Sequence, residues 1–166
     1  MNHEHWMTEA INEARLATAA GELPIGGVLV GGDSLIGKTQ TKVRRMGSIV
    51  AHGELTLLLE AKNKIYTASR PLAVYTTLEP CIMCLGACMQ CGVDVIVFGM
   101  RCAPDGGADL IEAIHRLGQK TPTIVGPVLE EKCLEVWKEW KHGADHPAFG
   151  YASQILARYG KSPGQV

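Results

Sequence analysis

Residues 72–98 read Leu-Ala-Val-Tyr-Thr-Thr-Leu-Glu-Pro-Cys-Ile-Met-Cys-Leu-Gly-Ala-Cys-Met-Gln-Cys-Gly-Val-Asp-Val-Ile-Val-Phe. The stretch Leu72–Leu78 is apolar and rich in strand formers, and Val93–Phe98 repeats that character. Between them Pro80 opens a helix, in whose first turn proline is tolerated because the missing N–H would have no partner there. Strand, helix and strand therefore follow one another, and the same alternation extends in both directions. Upstream, His52–Lys64 is helical with Leu55, Leu58, Leu59 and Ala61 as its apolar positions. A basic, loop-like stretch, Lys42–Gly47, precedes it. Ile25–Val30 and Leu35–Thr39 are extended runs joined through Gly31-Gly32-Asp33-Ser34, a hairpin composition. Residues 3–20 carry Trp6, Met7, Ala10, Ile11, Ala14, Leu16 and Ala17 at helical spacing and stop at Gly21. Downstream come a helix at Ala108–Leu117, a short strand at Thr123–Val125, and a helix at Glu130–Lys141 anchored by Trp137 and Trp140. The alternation predicts an α/β three-layer sandwich.

The chain has 166 residues, of which 46% are hydrophobic and 20% charged, enough for one good core and hardly for two. Residues 1–166 are expected to form a single domain, with 143–166 as a C-terminal tail over the body that ends in a helical Ala152–Tyr159. No apolar run approaches the ~18 residues of a membrane span, and Met1–Trp6 lacks the pattern of a signal peptide. The expectation is a soluble, cytoplasmic protein with no membrane partner. A net charge of −1 gives little electrostatic footprint for a long polyanion, so nucleic acid is not expected as a partner. Lys38, Lys42, Arg44 and Arg45 form the notable basic cluster, which reads as a solvated face.

His52-Gly53-Glu54 and Pro80-Cys81-Ile82-Met83-Cys84, separated by residues 55–79, form the H-x-E…P-C-x-x-C signature of zinc deaminases. Cys81 and Cys84 lie three apart on a helix and share a face, and His52 comes from another helix. These are three ligands of the type zinc prefers, leaving a fourth position open, whereas a structural site is closed by four. Helix starts favour thiolate over thiol. Glu54 sits in the same first turn as His52 without competing for the ion, the place for a general acid/base. A four-cysteine structural site with Cys88 and Cys91 is disfavoured, because zinc ribbons separate their pairs by roughly 15–20 residues. Cys88, Cys91, Cys102 and Cys133 read instead as small buried residues.

From Pro24 to about Trp140 the chain resembles the cytidine deaminase superfamily, in the branch of yeast-type cytosine deaminase, guanine deaminase and tRNA adenosine deaminase. Besides the metal signature, the resemblance rests on Pro24-Ile25-Gly26-Gly27, Tyr75-Thr-Thr-Leu-Glu-Pro-Cys81 and Cys84-Leu-Gly-Ala87. It implies a three-layer α/β/α sandwich around a central mixed five-stranded sheet, one catalytic Zn2+ per chain, and a homodimer. It also implies hydrolytic release of ammonia from an amino-substituted heterocycle, with the backbone at Leu78 and Glu79 receiving the leaving group. The Glu79 side chain has two open readings, one at the site and one structural. Glycine at position 53 looks like cytosine deaminase and would let a flat base lie against the backbone. The family's base-binding asparagine falls, thirteen residues before Glu54, on Thr41, which cannot make an amide's paired contact. Asp145, His146, Phe149 and Tyr151 would cap the pocket, as the tail does in relatives. The expected substrate is a free nucleobase or related small heterocycle, cytosine-like first and guanine-like second. The alternatives are a tRNA adenosine deaminase and a non-catalytic zinc-binding module, which would have no need of Glu54.

Overall fold

The computed structural model describes residues 1–102, 105–142 and 144–160. Five strands, β1 (Gly26–Gly31), β2 (Ser34–Gln40), β3 (Leu72–Leu78), β4 (Val95–Met100) and β5 (Thr123–Val125), form one sheet in the order β2-β1-β3-β4-β5. β1 runs antiparallel to both β2 and β3, while β3, β4 and β5 are mutually parallel. The sheet is mixed and five-stranded, as the resemblance implies. Parallel neighbours need a crossover, and the helix after β3 supplies it.

The helices are α1 (His3–Ala19), α2 (Val43–Met46), α3 (Gly53–Ala61), α4 (Lys64–Thr67), α5 (Ile82–Gln90), α6 (Ile111–Arg116), α7 (Glu130–Glu139) and α8 (Phe149–Arg158). They cover both faces of the sheet, because successive strand side chains point to opposite sides. Val28, Val30, Ala73, Tyr75 and Val97 face α1, α7 and α8, burying Met7, Ile11, Trp137 and Ile155. Leu29, Leu72, Val74 and Ile96 face α3 and α5, burying Leu57, Leu58, Leu85 and Cys88. The Asn2 side chain caps α1 by accepting from the His5 N–H at 3.1 Å, and Gly21, at φ +74°, turns the chain after its last residues. α1 lies so close to β1 that a Cβ on Gly26 would stand 2.2 Å from the Ala10 carbonyl oxygen and 2.4 Å from the Ala14 nitrogen. Only glycine lets the two backbones meet there.

Several boundaries differ from the sequence expectation. The stretch Lys42–Gly47 contains the single-turn helix α2, and the helix expected over His52–Lys64 ends at Ala61, where Lys62 takes φ +49°. Leu59 and Leu16 are exposed; in α3 the buried position is taken by Leu57. Pro80 lies outside α5, whose N-cap is Cys81. The helix expected from Ala108 starts as a 3-10 turn at Ala108–Leu110, and the C-terminal helix starts at Phe149 rather than Ala152. Of the expected tail, residues 143 and 161–166 lie outside the described residues; the remainder does pack over the body, with Ala152, Ile155 and Leu156 buried. The six cysteines are free thiols, Cys91 half-buried and Cys88, Cys102 and Cys133 buried. Among the described residues, no helix is long and apolar enough to cross a membrane.

Candidate active site

Two helix starts converge at one end of the sheet. His52 is the N-cap of α3 and Cys81 the N-cap of α5, so Glu54 and Cys84 fall in the first turns of their helices. His52 Nδ1 lies 3.6 Å from the Sγ of both Cys81 and Cys84, and the three donor atoms are all within 4.8 Å of one another. Bonds of about 2.0–2.1 Å to nitrogen and about 2.3 Å to sulfur give a tetrahedral N–S edge of roughly 3.6 Å, so this donor set fits zinc in both chemistry and spacing. The hydrogen bond from Cys84, then that with His52, holds the Cys81 thiol down to about 4, whereas Cys84, hydrogen-bonded to Cys81 and buried, is pushed up. A thiolate is the form a metal ligand must take.

Glu54 is buried, and Thr76 Oγ1 donates to its Oε1 at 2.9 Å, fixing the carboxyl plane. Burial pushes its pKa above the ordinary carboxylate value. His52, Glu54 and Cys81 open onto a cavity of about 400 Å³, and Thr41, Gly53, Leu78, Glu79 and His146 also line it.

The substrate-side expectations divide. Thr41 does face the cavity, but its hydroxyl donates to the Ala51 carbonyl at 3.3 Å, so only its lone pairs are left for a ligand. A Cβ on Gly53 would meet the Thr41 nitrogen at 3.5 Å and Ile25 Cγ2 at 3.7 Å, ordinary contacts, so packing does not demand glycine there. The Glu79 carboxylate accepts from the Cys102 and Ala108 N–H groups, at 3.0 and 3.1 Å, and pairs with Arg101 at 3.4 Å. Of its two readings the structural one fits these contacts: the side chain ties the segment after β4 to the end of β3. Asp145 and Phe149 are corrections. Asp145 is exposed on the turn before α8 and does not line the cavity, and α8 begins at Phe149, whose ring packs against the core. Tyr151 lines the cavity, its hydroxyl 3.1 Å from Cys102 Sγ.

Much of the wall went unread in the sequence. Glu22, Leu23, Ile25, Val43, Arg44 and Ile49, together with Asp105, Pro147 and Ala148, line the same cavity. Ile25 stood in the quoted Pro24–Gly27 motif and Arg44 in the basic cluster; Glu22 carried no signal.

Residues 1–122 match the MafB19-like deaminase family model. The chain belongs to the MafB19-like deaminase family. It is a deaminase of the cytidine deaminase superfamily, hydrolysing a C–N bond. This deaminase is 36% identical over 135 residues to the "tRNA-specific adenosine deaminase" of Bacillus subtilis, covering 78% of this chain and 83% of the relative. To that of Aquifex aeolicus it is 31% identical over 108 residues, covering 64% and 72%. A solved structure from a study of A-to-I editing by tRNA:A34 deaminases at the wobble position superposes with a TM-score of 0.70 at 26% identity, covering 80% of this chain and 98% of that one. The guanine deaminase of Nitrosomonas europaea superposes at 0.68 with 23% identity, covering 82% and 83%, and shares the fold.

These relatives overturn one expectation. A small heterocycle as the partner, with nucleic acid not expected, conflicts with a deaminase whose relatives act on tRNA. The net charge of −1 misleads because it sums the whole chain, whereas an enzyme that takes one flipped base needs to touch only a few nucleotides.

Proposed function

We propose that this deaminase converts an adenosine of tRNA, at the wobble position of the anticodon, to inosine. The observation that carries the reading is the joint one: a His52, Cys81 and Cys84 donor set with the buried Glu54 beside it, at a cavity of about 400 Å³, in a chain 36% identical to a tRNA-specific adenosine deaminase.

His52, Cys81 and Cys84 would hold zinc. The ion, when bound, supplies the Lewis acidity that makes a water nucleophilic near neutral pH. Glu54 takes a proton from that water and delivers it to N1 of the adenine, which makes C6 electrophilic. The water oxygen forms a bond to C6, and the C6–N bond then breaks. Glu54 takes the remaining proton from the oxygen now bonded to C6 and gives it to the departing amine, so that water and adenosine leave as inosine and ammonia. Thr76 keeps the carboxyl aimed throughout, through its bond to Oε1. Gly53 and the end of β3 at Leu78 line the space the base would occupy. Inosine measured by mass spectrometry of digested tRNA, together with ammonia release, tests the proposal. An enzyme that leaves anticodon adenosine untouched sinks it.

Two results are expected here. The purified protein should hold about one zinc per chain, because the donor set supplies three ligands and leaves one position for water. Elemental analysis finding no zinc, or an iron cluster absorbance, would remove the metal assignment. tRNA binding should weaken with salt but with a shallow slope, on the order of one or two phosphate contacts. The reason is that three of the four clustered cations are already paired: Lys38 with Glu9 and Glu13, Lys42 with Glu60, and Arg45 with Glu22. A slope near that of a protein gripping six to ten phosphates would contradict this count.

A further inference from the structure

Glu22 is one of the most deeply buried carboxylates of the chain, at 1% exposure, and it takes no part in the reaction as described. It is occupied from three sides. Its Oε2 accepts the Arg44 N–H at 3.0 Å and its Oε1 the Arg45 N–H at 2.8 Å, the two amides at the start of α2. The Arg45 guanidinium lies 3.6 Å from Oε1. The Glu22 carbonyl accepts the indole N–H of Trp140 at 2.9 Å. The preceding carbonyl, of Gly21, accepts from Arg44 Nη1 at 2.7 Å and contacts His146 Nε2 at 3.2 Å, while His146 Nδ1 accepts from the Ala148 N–H.

Gly21 and Glu22 thus join three segments distant in sequence. They connect the end of α1, the Thr41–Ile49 stretch before α3, and the segment between α7 and α8. Each of the three contributes to the cavity wall: Glu22 and Leu23 from the first, Thr41, Val43 and Arg44 from the second, His146–Ala148 from the third. The residues of the proposed chemistry are held elsewhere, by α3, β3 and α5.

We infer that Glu22 is a positioning residue that sets the wall against which the substrate binds, acting through the backbone of Arg44 and Arg45. Its role in substrate binding rests on the tRNA reading above; its role in ordering α2 does not. A buried carboxylate is suited to the task because one group accepts from two adjacent amides and a guanidinium at once, which a neutral side chain cannot. Glu22→Gln replaces one acceptor oxygen with a donor and must release one of the two amides.

The test uses the full chain with zinc loaded and has two arms. Hydrogen exchange of the peptide covering 43–46 should be faster in Glu22→Gln than in wild type, and partly restored in Glu22→Asp. With anticodon stem-loop RNA, Glu22→Gln should raise KM about tenfold while kcat stays within about twofold. Zinc content should be unchanged. Should Glu22→Gln fail to accumulate folded, Trp140→Phe carries the test, since it deletes the N–H held by the Glu22 carbonyl and keeps a ring in the core. Unchanged exchange at 43–46 overturns the inference outright. Faster exchange with KM unmoved, or with kcat falling as far as kcat/KM, overturns the part concerning substrate. If wild-type enzyme forms no inosine, the tRNA reading fails by itself, and the exchange arm still decides whether Glu22 orders the wall.

Discussion

Glu54→Gln is expected to lower turnover by about 10⁴-fold, the upper end of what general acid–base catalysis contributes, because a single carboxyl is asked to move every proton in the sequence. That factor corresponds to about 5 kcal/mol of activation free energy. The amide has nearly the carboxyl's shape and still accepts from Thr76 Oγ1, so the packing around β3 should survive and zinc should stay bound. Thr76→Val removes only the hydrogen bond that aims the carboxyl, and should cost about tenfold. Ammonia release and zinc content measured on the same samples decide the matter. Activity of Glu54→Gln within tenfold of wild type would place the proton shuttle on another group, and loss of zinc would make Glu54 part of the metal site.

Gly26→Ala should be among the most destabilising single substitutions available, although it adds one methyl group. That methyl would lie 2.2 Å from the Ala10 carbonyl oxygen and 2.4 Å from the Ala14 nitrogen, and both are backbone atoms of α1 that cannot turn aside. β1 is hydrogen-bonded on both edges, to β2 and to β3, so it cannot retreat either. Overpacking of a yielding site costs about 1–3 kcal/mol, and this site does not yield, so a loss of at least about 3 kcal/mol is expected. For a chain of this size that lowers Tm by roughly 10 °C. Gly53→Ala is the control, since its Cβ would meet only ordinary contacts of 3.5 Å and longer. Thermal melts in which the two variants behave alike would show that α1 can shift away from β1.

What a sequence makes legible depends on the range over which each physical cause acts. The donor set was legible because zinc demands particular atoms, and H-x-E with P-C-x-x-C writes them into two short windows. β5 was read to the residue, Thr123–Val125, since its edges are marked by changes of composition. α3 was harder. Leu55, Leu57, Leu58 and Leu59 are all apolar, and which of them turn inward depends on how the helix is rotated against β2; Leu57 went in and Leu59 out. Pro80 misleads by two positions, because Cys81, which makes no side-chain cap bond, takes the N-cap and the helix starts at Ile82. The resemblance places Asp145 and Phe149 at the cavity because the tail closes the site in relatives, but here Asp145 is exposed on the turn before α8 and Phe149, at the start of α8, packs on the core. Glu22 was invisible for the opposite reason: its partners are residues 44, 45 and 140, and no local pattern announces a carboxylate whose work is to join them.

The division of the cavity between the two sides of the sheet has an evolutionary consequence. The atoms proposed for the reaction sit at the starts of α3 and α5, in one layer, while much of the rim comes from the end of α1, the α2 loop and the approach to α8. The rim can therefore drift, lengthen or be exchanged without disturbing a bond-making group. Variation that changes what the site admits is expected at these borders, and a laboratory selection for altered substrate choice should find its winners among residues 21–25, 41–49 and 146–151.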